Sequence, residues 1–136
     1  MAGKDMFSTL SKKQQDAFAV EAKERWEHTD AYRQSQERVK KLGQAGMEKV
    51  NAEREALIRE IAAAMPSGVK SDQVQQLVKR HYEQLRVFYE PTLAIYRGLA
   101  EIYVLDDRFF ANYEAIAPGL AQFMHDAMIY FIEDQT

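Results

Sequence analysis

Residues 71–91 read SDQVQQLVKRHYEQLRVFYEP, and the period of that stretch decides the fold class. Ser71 has N-cap chemistry, and Val74, Leu77, Val78, His81, Tyr82, Leu85, Phe88 and Tyr89 follow at steps that keep them on one helix face. Working outward, Pro91 suits the first turn of another helix, with Ile95, Tyr96, Leu99, Ile102 and Tyr103 on one side. Asp106 then caps a short helix carrying Phe109, Phe110 and Tyr113, and Pro118 opens a last one with Leu120, Phe123, Met124, Ala127, Met128 and Phe131 inward. Upstream, Met47, Val50, Leu57, Ile58, Ile61 and Met65 recur at helical spacing until Pro66-Ser67-Gly68 ends the run. Ser11 and Gln14 have capping-box spacing for a first helix to about Trp26. Thr29 caps a second helix to about Leu42, which Gly43 and Gly46 break. No strand-like alternation bounded by turn signals appears, so seven helical segments with short connections predict an all-α fold of packed helix pairs.

At 136 residues the chain has the length of one domain, and 46% hydrophobic with 29% charged residues is a soluble globular balance. A net charge of −3 supplies no global basic field, so neither nucleic acid nor an anionic membrane is expected as a partner. The chain contains no cysteine, which removes disulfides, thiolate metal sites and any thiol nucleophile. With no apolar run long enough to span a membrane and no apolar centre near Met1, the expected location is the cytoplasm. Composition is uneven along the chain. Residues 1–65 carry four aromatics, whereas residues 66–136 carry eleven, six of them tyrosines. The first part has twelve basic and eleven acidic residues and the second six and ten, so the tyrosine-rich half is also the acidic one.

Catalytic chemistry finds no footing. His28, His81 and His125 are scattered, none has a glutamate three residues before it, and no Gly-rich phosphate loop or G-x-S-x-G elbow occurs. No metal, no cofactor and no enzymatic activity are expected. His81 lies on an apolar face and reads as a core histidine rather than a haem or metal ligand. Asp106 and Asp107 sit at a helix start, where capping explains two carboxylates better than acid–base work. Arg108 opposes the helix dipole there and calls for a carboxylate partner such as Glu114 or Glu101. The basic run at positions 38, 40 and 41 reads as a solvated helix end, since no aromatic interleaves with it. Segment 27–46 has only five apolar residues in twenty, and its helix is either an ordinary solvated one or a mobile lid. The aromatic set Tyr82, Phe88, Tyr89, Tyr96, Tyr103, Phe109, Phe110 and Tyr113 is partly core, yet tyrosine hydroxyls need partners, and clustered tyrosines also suit the wall of a ligand cleft.

Two stretches carry a resemblance. One is ERWEHTDAYRQS at 24–35; the other is YVLDDRFFANYE at 103–114, continuing through Ala117-Pro118-Gly119-Leu120-Ala121. Together they resemble the TipAS antibiotic-recognition domain, found at the C-terminus of MerR-type transcriptional activators and also as a separate protein. Within the second stretch, Asp106, Arg108, Asn112, Pro118 and Gly119 form the structural motif. The resemblance runs from about residue 20 to 133 and implies a globin-like fold without haem. It also implies a broad cleft for bulky, largely apolar, multi-ring antibiotics such as thiopeptides. Family members that trap thiopeptides covalently place a cysteine just after the pair matching Phe88-Tyr89, where this chain reads Glu90-Pro91-Thr92. Reversible, non-covalent capture is therefore implied. His28 also stands where the family usually has a small or acidic residue.

The expectation is thus an N-terminal helical segment, 1–46, that can close as a lid over a recognition core, 47–136. Trp26, Tyr32, Tyr89, Tyr96, Tyr103, Phe109 and Tyr113 are expected to line the cleft. Acidic residues around it would favour neutral or cationic ligands. The partner is a small-molecule antibiotic, and a DNA-binding domain or dimer partner enters only if the chain is part of a longer protein. It is expected to serve as the effector domain of such an activator or as a stand-alone sequestering protein. The alternative is a helical interaction module whose aromatics dock a protein.

Overall fold

The structure, a computed structural model, describes residues 12–135, and the Ser11 half of the expected capping box lies outside them. Six α-helices follow one another: α1 (Lys12–Trp26), α2 (Asp30–Ala63), α3 (Asp72–Gln84), α4 (Leu93–Leu105), α5 (Asp107–Ile116) and α6 (Leu120–Gln135). The all-α expectation holds, and the seventh segment is accounted for by α2. Gly43 interrupts that helix with φ 67° and ψ −178°, a backbone conformation that side-chain-bearing residues rarely adopt. Gly46, expected to share in the break, continues the helix.

The two halves of α2 differ in what they bury. Met47, Asn51, Arg54, Leu57, Ile58 and Ile61 are all buried, whereas no residue of the first half is. The sparse apolar stripe of 27–46 is the cause: there is too little surface to remove from water.

Local signals set the other boundaries. The Ser71 hydroxyl accepts the Val74 amide at 3.2 Å, and Val74, Leu77, Val78 and His81 form the buried stripe of α3. Pro91 stands one residue outside α4 rather than in its first turn. Thr92 is the N-cap, its Oγ1 accepting the Ile95 amide at 3.1 Å. The Pro91 carbonyl accepts the Tyr82 hydroxyl at 3.1 Å, which ties the turn to α3. Asp106 caps α5 as expected, accepting the Arg108 amide at 3.0 Å. Pro118 lies in the turn before α6, and Gly119 makes that turn at φ 84°. The capping work there falls to Glu114, whose carboxylate accepts the amides of Gly119 at 2.8 Å and Ala121 at 3.0 Å. Glu114→Ala leaves two helix-start amides without that acceptor, and thermal unfolding should show a loss of about 1 kcal/mol.

The core is the pairing of α4 with α6, with α3 and α5 closing on α6 and α3 also packing on the second half of α2. Tyr96, Leu99, Ala100 and Tyr103 of α4 meet Leu120, Met124, Ala127, Met128 and Phe131 of α6 within one cluster. Helix α1 joins through Phe18, which is 3% exposed and meets Phe109 of α5 edge-on at 5.2 Å between ring centres. No helix among the described residues is long and apolar enough to cross a membrane.

Candidate functional site

Helix α1 and the first half of α2 do not press flat against α4. Between them runs a groove of about 480 Å³, within the range of pockets that hold drug-sized ligands. One wall is Phe18, Ala22 and Trp26 of α1 with Tyr32 and Val39 of α2; the other is Ala94, Ile95, Gly98, Leu99 and Ile102 of α4. Tyr89 stands between the walls, and Gln15, Thr29, Ser35 and Gln36 supply polar groups. No charged side chain lines the groove, so the acidic surround expected from the sequence is not part of its wall.

Thr29 positions the aromatic wall. Its hydroxyl donates to the Trp26 carbonyl at 2.7 Å and accepts the Tyr32 amide at 3.2 Å, fixing the turn that carries both rings. Trp26 leans on Phe18 with ring centres 6.1 Å apart. Polar contacts hold this wall to the rest of the molecule. Gln34 accepts the Glu90 amide at 2.8 Å, and Arg38 donates to the Arg86 carbonyl at 2.7 Å. Arg108 pairs with Glu21 of α1 at 2.8 and 3.0 Å and with Asp106 at 2.6 Å, rather than with the expected Glu114 or Glu101. Those hydrogen bonds hold the carboxyls of Glu21 and Asp106 below their ordinary values. Asn112 extends the link, donating to Gln14 at 3.2 Å and to the Arg108 carbonyl at 2.7 Å.

Of the residues expected to line a cleft, Trp26, Tyr32 and Tyr89 face the groove. Tyr96, Tyr103, Phe109 and Tyr113 lie in the core, each 0–1% exposed. The hydroxyls of Tyr96 and Tyr103 find partners on other helices. The Arg54 guanidinium of α2 donates to the Tyr103 hydroxyl at 2.7 Å, and the Tyr103 and Tyr113 rings are 4.7 Å apart. His81 Nδ1 lies 2.7 Å from the Tyr96 hydroxyl, so His81 is a core histidine with a partner. Burial depresses its pKa well below the ordinary value, and the Arg54 charge adds to that. Burial pushes the Tyr89 hydroxyl up to about 12, so it meets the groove neutral.

Sequence reasoning missed Phe18, Val39 and the whole α4 wall. One signal was available, a glycine at position 98 in the interior of a helix. A second hollow of about 300 Å³ lies between α2 and α3, walled by Glu60, Ala63, Gln73, Gln76, Leu77 and Arg80, with Arg80 reaching Glu60 at 3.4 Å. No aromatic side chain lines it and its ion pair is exposed, which suits a solvated surface better than a ligand seat. Among the described residues no cluster of His, Asp and Glu is arranged to hold a metal ion.

The TipAS antibiotic-recognition domain matches residues 18–131. The chain belongs to that family. The HTH-type transcriptional activator TipA of Streptomyces coelicolor is 33% identical to this TipAS domain over 117 residues, 84% of this chain and 46% of TipA. The HTH-type transcriptional activator mta of Bacillus subtilis is 29% identical over 140 residues, covering 99% of this chain and 54% of mta. The chain therefore spans about half the length of the curated relatives it matches. Among solved structures, TipAS of Streptomyces lividans in complex with nosiheptide, from a thiopeptide antibiotic resistance system, superposes with a TM-score of 0.82. It is 31% identical, and the match covers 96% of this chain and 93% of that one.

Proposed function

We propose that this TipAS domain binds bulky, uncharged, multi-ring antibiotics of the thiopeptide kind, reversibly, in the groove between the N-terminal arm and α4. The observation that carries this is a groove with an aromatic wall, a few hydroxyl and amide groups and no charged lining, in a member of an antibiotic-recognition family. An ionic group placed there would lose its hydration without gaining a counter-charge, so the buried part of the ligand is neutral. The chain has no cysteine to form a thioether, so release is by dissociation. Residues 1–46 act as the closing segment and 47–136 as the core it closes on. The first half of α2 buries no residue, which makes its detachment inexpensive. The domain is a non-catalytic cytoplasmic module: the drug sensor of a MerR-type activator when joined to a DNA-binding domain, and a drug sink when alone.

Trp26 is the chain's only tryptophan and faces the groove, so its emission reports occupancy directly. Titration with nosiheptide and a panel of other multi-ring antibiotics should shift that emission. At 100 times the dissociation constant, the ligand should add about 2.7 kcal/mol to stability. Denaturing mass spectrometry should return the protein at its unmodified mass. A panel that moves neither fluorescence nor the melting temperature sinks the proposal.

A further inference from the structure

Gly98 has no structural reason to be glycine. It lies inside α4, outside the positive-φ glycines, so its backbone is one that any residue adopts. A Cβ built there meets nothing within 4 Å, so no neighbouring helix or side chain requires its smallness. Glycine in a helix interior is disfavoured relative to alanine, because it surrenders more backbone freedom on folding. A residue that breaks a local rule with no compensating contact points to function. What Gly98 does have is a place on the groove wall, where it exposes bare backbone one turn after Ala94, itself only a methyl. Ile95 and Ile102 flank this strip, and the opposite wall carries Trp26 and Tyr32.

We propose that Gly98 is the specificity-determining residue of the groove, its bare backbone forming the floor against which a flat, uncharged ring system of the ligand lies. This rests on the groove being the antibiotic site and adds to it the shape of what is admitted. A ring system stacks on a surface without protrusions, and a side chain at position 98 would lift it off that surface. The ligand then loses dispersion contact over its whole face, because those contacts weaken steeply once a gap opens. A branched or globular apolar group gains less from such a floor, since only one edge of it touches.

The test is a size series at position 98 read by calorimetric titration with nosiheptide. Gly98→Ala should weaken binding about fivefold to tenfold while raising the melting temperature by a few degrees. Gly98→Leu should weaken binding more than 30-fold with helical circular dichroism unchanged. The control is Arg97→Leu, which puts the same leucine side chain on an exposed neighbour outside the groove lining and should leave affinity within twofold. If the unsubstituted protein binds and Gly98→Leu binds within threefold of it, the role of Gly98 is overturned while the site survives. If Arg97→Leu weakens binding as much as Gly98→Leu, the effect is not specific to the floor and the role is likewise overturned. If the unsubstituted protein binds neither nosiheptide nor any other member of the panel, the antibiotic reading falls and takes this one with it.

Discussion

Phe18→Ala should release α1 from the core. Phe18 is the one large apolar side chain that α1 buries, at 3% exposed, and it bridges Trp26 on one side and Phe109 on the other. The Arg108 guanidinium stands 5.4 Å above the same ring. Truncating a buried phenylalanine costs about 3–5 kcal/mol. A 15-residue helix with a single such anchor is otherwise tied down by polar contacts such as Glu21–Arg108 and Gln14–Asn112, and an isolated helix of that length is marginal in water. The loss should therefore fall on α1 alone, while α3–α6 keep their shared cluster. Amide exchange of residues 12–26 should accelerate at least 100-fold, Trp26 emission should move to the red, and urea unfolding of the rest should shift far less. Antibiotic affinity should drop by at least tenfold, since α1 supplies part of the groove. Unchanged exchange and emission would show that the Glu21–Arg108 and Gln14–Asn112 contacts hold α1 unaided.

The second large effect is acid sensitivity centred on His81. In the folded protein its ring is fully buried and held neutral, with its pKa well below 6.5 because burial disfavours the charged form and Arg54 repels it. In the unfolded chain an ordinary histidine takes up a proton near 6.5. Below that pH the unfolded state therefore binds more protons than the folded state, and stability falls as pH falls. The contribution is intact above about 6.5 and declines by up to about 1.4 kcal/mol for each pH unit below it. Between pH 6.5 and 5 the protein should lose about 1–2 kcal/mol through this group. His81→Gln removes the titration, so its stability should vary less with pH across the same window whatever its absolute value. Parallel curves for the two proteins from urea unfolding would show that His81 is not the group responsible.

The helices were legible because their stop and start signals are local. Ser71, Thr29 and Asp106 cap what their spacing suggests, and Pro66-Ser67-Gly68 ends α2. Glu114 capping α6 was not legible, since that contact depends on how the chain turns at Gly119. Tyrosine clustering did not tell the groove-facing Tyr89 from Tyr96, Tyr103 and Tyr113, which the structure buries. A tyrosine seen in sequence shows a hydroxyl that needs a partner, but not where the partner stands. For Tyr103 it is Arg54, 49 residues earlier, and for Tyr96 it is His81, so both rings are satisfied inside the core. Helical period likewise placed Ile95, Leu99 and Ile102 on an apolar side. Period alone does not divide such a side between a neighbouring helix and a groove.

The Gly43 interruption acquires another meaning beside the missing cysteine. Every groove residue from α1 and α2 lies before Gly43, and the rest of the lining lies after it, so the groove joins parts of the chain on opposite sides of that interruption. A ligand gripping Trp26 and Tyr32 on one side and Ile95 on the other closes a loop of more than 60 residues in a chain with no covalent cross-link. In such a protein the antibiotic is a removable staple. It restricts the chain as a disulfide restricts a secreted domain, but only while drug is present.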